Sequence, residues 1–86
     1  MRVYLIGMSP TVFRIGRYRF YFFSREEDRK HVHVYSPDGE AKFWIEPSVE
    51  LAVSKGLKDK EIGEICKIVE DRIDEIRDSW NRHFPG

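Results

Sequence analysis

Apolar and polar positions alternate through the first half of the chain and then switch to a helical period. Residues 11–24 alternate around Gly16-Arg17. Glycine there suits the positive φ that the first position of a two-residue type II′ turn demands. The resulting hairpin sets Ile15 opposite Tyr18, Phe13 opposite Phe20 and Thr11 opposite Phe22 on one largely apolar face. Arg14 opposite Arg19 and Val12 opposite Tyr21 take the other face. Like charges directly opposed across strands repel, so the two arginines call for a nearby carboxylate or an external anion.

A second hairpin follows a charged loop at 24–30. His31-Val32-His33-Val34-Tyr35 and Glu40-Ala41-Lys42-Phe43-Trp44-Ile45 read as strands joined at Pro37-Asp38-Gly39. Proline presets φ for the turn, and Gly39 is expected at a left-handed bulge position. A three-residue loop places Tyr35 opposite Ala41, His33 opposite Phe43 and His31 opposite Ile45. Lys42 and Trp44 then share the other face with Val32 and Val34. A slip of one residue reverses every assignment. After Pro47-Ser48, residues 49–53 read either as a last short strand or as a single helical turn, and 54–56 as a turn.

From 59 to about 83 the period is helical. Ile62, Ile65, Val69, Ile73, Ile76 and Trp80 step by three or four and draw one apolar stripe. Asp59 is the expected N-cap, with Glu61 at the positive helix end. Residues 71–74 are the weakest helix formers within the stripe and the place for a break. The expected fold is α+β: an antiparallel meander of four to five strands, with one long C-terminal helix packed on one face. Residues 1–10 are expected to be an N-terminal extension or edge strand, and 11–86 a single domain.

Bulk properties narrow the possibilities. At 86 residues with 14% aromatics, the chain is near the small end of what folds without staples. Cys66 is the only cysteine, which excludes an intrachain disulfide and a multi-cysteine metal site. No apolar run reaches membrane-spanning length. The apolar start at 1–8 is short and no cleavage pattern follows it. A cytoplasmic protein with no membrane partner is the expectation. Formal charge is zero, yet residues 1–35 carry seven basic against three acidic residues, and the remainder eight against twelve. A basic sheet resting on an acidic helix explains that split, and so does a basic face for an anion.

Few residues suggest chemistry. His31 and His33, two apart on a strand, project from the same face. They form a possible two-ligand metal platform, for which Glu46, Asp38, His83 and Cys66 are the available third ligands, none indicated by spacing. The structural alternative packs both rings against aromatics such as Phe43 and Trp80. No metal or cofactor is assigned. A metal-free ribonuclease would use His31 or His33 as acid or base, with Arg14, Arg19 or Arg25 on the phosphate. Arginines interleaved with tyrosines on strands also suit single-stranded RNA, although a pI near 6.8 is not that of a dedicated nucleic-acid binder.

The order of these parts resembles a family of small prokaryotic domains of unknown function. The resemblance rests on Thr11-Val12-Phe13-Arg14-Ile15-Gly16, Tyr18-Arg19-Phe20, His31-Val32-His33-Val34, Gly39-Glu40-Ala41-Lys42-Phe43-Trp44 and a helix closing on Trp80 and Phe84. It covers residues 11–84. Members often carry Pro-Pro before the first histidine, where this chain has Arg29-Lys30. The resemblance implies a neighbouring short gene for a small partner domain, and an association with toxin–antitoxin-type pairs. His31, His33, Lys42, Trp44 and Trp80 are the positions that match.

The expected function is thus a small interaction module, a toxin–antitoxin-like component. It binds a small partner protein through an exposed sheet face carrying Arg14, Arg19, Tyr21, Lys42 and Trp44. A homodimer could use the same face. The alternative is an RNA-directed or metal-dependent hydrolase centred on His31 and His33.

Overall fold

A computed structural model describes residues 11–23 and 28–84. The proposed N-terminal extension at 1–10 lies outside the described residues, as does Arg25. The described chain forms five strands and then two helices. The strands are β1 (Thr11–Ile15), β2 (Tyr18–Tyr21), β3 (His31–Ser36), β4 (Gly39–Trp44) and β5 (Glu50–Lys55). They pair antiparallel in chain order, so the sheet is a meander. The segment at 49–53, open to two readings in the sequence, is therefore strand from Glu50 onward, and it runs on through Ser54 and Lys55, positions expected to form a turn.

The first hairpin turns at Gly16, whose φ is +57°. Ile15, Arg14 and Phe13 face Tyr18, Arg19 and Phe20 as expected. Beyond Phe13 the register shifts, and Thr11 pairs with Tyr21 rather than Phe22. Val12 is thus an extra residue, a bulge, and does not oppose Tyr21.

The central hairpin corrects the three-residue loop. Ser36 pairs directly with Gly39 across a two-residue turn, Pro37-Asp38. The Ser36 hydroxyl closes it, accepting from the Asp38 N–H at 3.3 Å and donating to the Gly39 carbonyl at 3.3 Å. Every pairing moves by one residue: His31 with Trp44, Val32 with Phe43, His33 with Lys42, Val34 with Ala41. Hydrophobic burial favours this register, since Val32, Val34, Ala41 and Phe43 all become buried together. Gly39 does not have positive φ. It is glycine because a Cβ there would clash with the Lys55 carbonyl oxygen.

The expected single helix is two: α1 (Asp59–Asp71) and α2 (Ile73–His83). They part at Arg72, whose φ of −111° and ψ of 21° leave the helical region. The break falls within the weak helix formers of 71–74. Lys58, not Asp59, is the N-cap of α1, and its N–H donates to the Glu61 carboxylate at 3.0 Å. Phe20, Phe22, Val32, Val34, Phe43 and Ile45 from the sheet side form one core with Ile65, Val69, Ile76 and Trp80 from the helices. Each large side chain removed from water there contributes about 1.5–3 kcal/mol. Ile62 and Ile73 only border that core.

Candidate functional site

The helices cover one face of the sheet, and the register fixes what the other face presents. Its residues line up in rows across the strands. One row runs Arg14, Arg19, Tyr35, Glu40, Lys55. The next runs Thr11, Tyr21, His33, Lys42, Val53. The third runs His31, Trp44, Glu50. All of Arg14, Arg19, Tyr21, Lys42 and Trp44 therefore share one side with both histidines, although Tyr21 is buried there rather than exposed as expected. Neither the three-residue loop nor a simple choice between the two sets anticipated that.

Of the two opposed arginines, Arg19 has internal partners. Arg19 Nε donates to Thr11 Oγ1 at 2.8 Å, and its guanidinium lies 4.6 Å from the Tyr21 ring centroid. A cation over an aromatic face is attracted by the ring quadrupole. Arg14 stays exposed. Trp44 carries two cations, with the Lys42 ammonium at 4.5 Å and the Arg29 guanidinium at 4.3 Å from its centroid.

His33 sits at the centre. Its ring stacks on Tyr21 at 5.4 Å and meets Phe23 at 4.3 Å and His31 at 4.9 Å. His31 is fully buried at the end of the sheet, its ring 5.6 Å from Trp44 and 5.3 Å from Trp80. Phe43, named beforehand as a neighbour of the pair, lies on the helix-covered face. His31 Nδ1 stands 2.7 Å from the Arg29 carbonyl oxygen. A carbonyl only accepts, so Nδ1 carries the proton. Of the two histidines, only His33 reaches the surface.

Among the described residues, no three His, Cys, Asp or Glu side chains gather into a group that could hold a metal ion. Cys66 lies half-buried on α1, and burial pushes its thiol up, with the Glu70 charge adding to the effect. A raised thiol is a poor nucleophile.

Sequence reasoning missed four contributors. Phe23 and Tyr35 are 44% and 53% exposed, Val53 is 58% exposed, and Arg29 caps Trp44. Arg29 also approaches the Glu50 carboxylate at 3.6 Å, so it is more than part of a solvated loop. Tyr35 and Val53 follow from the alternation once the turn has two residues; nothing local marks Arg29.

A separate cleft of about 960 Å³ opens between the first hairpin turn and α1. Arg17, Lys58, Lys60 and Lys67 line it against Asp38, Glu61, Glu64 and Asp71. Arg17 pairs with Asp38, and the buried Tyr18 hydroxyl donates to Glu64 at 3.2 Å. Its charges balance internally. No helix among the described residues is long and apolar enough to cross a membrane.

Comparison with known proteins places the chain without assigning it an activity. No curated protein and no solved structure matches it. The model of a family described as a domain of unknown function, DUF4160, matches residues 17–81. That span contains β2 to β5, α1 and nearly all of α2, and the chain belongs to the DUF4160 family.

Proposed function

We propose that this protein is a small interaction module, one component of a toxin–antitoxin-type pair, which binds a small acidic partner protein through the outer face of its sheet. The observation that carries this reading is the convergence of Arg14, Arg19, Tyr21, Lys42 and Trp44 on one side of the sheet, joined by exposed Phe23 and Tyr35. Arginine, tyrosine and tryptophan dominate binding energy in interfaces.

Two further features support it. Among the described residues, the extra residues Val12 and Ala52 both lie in the outermost strands of the sheet, where bulges turn a strand away from edge-to-edge pairing. Association through the face is then the open route. A second copy brings the same cations, whereas an acidic partner complements them. The neighbouring short gene implied by the family resemblance supplies the partner to test.

The test reverses two charges, Arg14→Glu with Arg19→Glu. The variant is expected to fold with its normal melting profile and to lose capture of the purified neighbouring gene product. Capture at unchanged affinity would reduce the basic face to a solvated surface.

A further inference from the structure

Beside His33 the outer face is not flat. A groove of about 290 Å³ runs between the end of β2 and the edge strand β5. Phe23, His33, Lys42, Val53 and Lys55 line it, with Glu40 at one end. Its volume falls at or below the low end of about 300–1,000 Å³ typical of small-molecule sites. It suits a protruding side chain better than a cofactor.

Two exposed apolar side chains, Phe23 and Val53, border this groove. Exposed apolar surface enclosed by polar residues marks an interaction site. Among the described residues its polar rim is Lys42, Lys55 and His33 with the Glu40 carboxylate, which stands directly across from Lys55. The row containing Glu40 continues into Tyr35, Arg19 and Arg14, so positive charge extends away from the groove along the sheet. An apolar slot with a cationic rim complements an apolar side chain flanked by carboxylates. Nucleic acid fits less well, because the slot is bordered by aliphatic Val53 as well as by Phe23, and bases need open flat rings to stack on.

We infer that this groove is the anchor point of the interaction: it receives one aromatic or aliphatic side chain of the partner, held within an acidic segment whose carboxylates meet Lys42 and Lys55. The inference rests on the proposed role of the outer face and names the chemistry of what docks there. Val53 and Phe23 exclude water around the anchor, and the lysines select its flanks.

The experiment uses short fluorescein-labelled synthetic peptides and the full chain. One peptide places a single phenylalanine among aspartates. A second replaces that phenylalanine with serine, a third replaces the aspartates with lysines, and an oligouridine serves as the nucleic-acid probe. Anisotropy reads affinity, and amide chemical shifts read location. The Phe–Asp peptide is expected to shift Phe23, His33, Lys42 and Val53. Either altered peptide should bind at least about tenfold more weakly. Val53→Asp, at a position already 58% exposed, should weaken the Phe–Asp peptide about tenfold or more without unfolding the protein. Lys55→Glu should act in the same direction.

Equal binding of the serine peptide, shifts located elsewhere, no peptide binding, or tighter binding of oligouridine would each overturn the inference. The neighbouring gene product separates this inference from the reading beneath it. If Arg14→Glu with Arg19→Glu abolishes its capture while Val53→Asp does not, the face binds and the groove is not its anchor. If neither variant changes capture, the face itself is not the interaction surface.

Discussion

His33 and Lys42 stand directly opposite each other on β3 and β4, with Tyr21 beyond His33 and Val53 beyond Lys42 in the same row. That register sets a ring with two hydrogen-bonding nitrogens beside an ammonium group on the same side of the sheet. The relationship exists only because the turn at Pro37-Asp38 has two residues. One more residue in that turn would have put the imidazole and the ammonium on opposite sides of the sheet.

Trp80 joins the two halves of the core. Its ring lies 5.4 Å from Phe22, 4.5 Å from Phe84 and 5.3 Å from His31. Trp80→Ala should cost about 3–5 kcal/mol, a large share of the stability of a chain this small. Urea denaturation followed by circular dichroism measures it. A midpoint like that of the natural chain would remove Trp80 from the core.

Two glycines should respond in opposite directions. Gly39→Ala forces a Cβ against the Lys55 carbonyl and the Gly56 backbone, which cannot give way cheaply. A cost of at least about 1–3 kcal/mol is expected. Gly63 lies exposed in α1 with nothing within 4 Å of an added Cβ. Gly63→Ala should stabilise the protein by about 0.5–1 kcal/mol. Thermal melts of the two variants give the comparison.

Tyr18 links the sheet to α1 and makes stability fall in alkali. Burial raises its phenol above the ordinary 10.0, and the hydrogen bond to Glu64 and the charges of Glu64 and Glu61 act the same way against a weaker opposing pull from Arg17. A folded pKa above the unfolded one means that the native state holds the proton longer. The contribution is complete below about pH 10 and is lost as pH rises through the raised value. Tyr18→Phe should flatten this part of the stability profile. An unchanged alkaline slope in the variant would assign the loss to another group.

Chelation tests the histidine pair. The protein purified and treated with EDTA should keep its melting temperature, and His33→Ala should leave its metal content unchanged in elemental analysis. About one metal per chain, lost in that variant, would instead make His33 a ligand.

Legibility from sequence followed the range of the interactions. The Gly16 turn, the apolar stripe from Ile62 to Trp80 and the break near Arg72 are local matters of φ, period and propensity, and all three could be read. The central register could not. Pro37-Asp38-Gly39 fits a two- or a three-residue loop by local preference, and the decision came from packing Val32 and Phe43 against helices far along the chain. Val12 and Ala52 likewise carry no local mark as bulges. For the candidate face this meant that its basic and aromatic members were recognisable, while their convergence was not. Arg29 reaches Trp44 from fifteen residues away in sequence, which no pattern along the chain encodes.

Among the described residues, the inner strands β2, β3 and β4 pair without interruption, and both irregularities sit at the rims of the sheet. That distribution inverts the usual tolerance of a small protein to losing a residue. Deletions are ordinarily absorbed in loops and damaging within strands. Here removal of Ala52 would restore regular alternation to β5 and leave the hydrophobic interior intact, while straightening a rim that carries Leu51 and Val53 in the open. Such a chain would still fold, and its folded form would become the template for fibrous growth, visible as thioflavin fluorescence in concentrated solution. Growth of that fluorescence would make the irregular residues a safeguard on solubility.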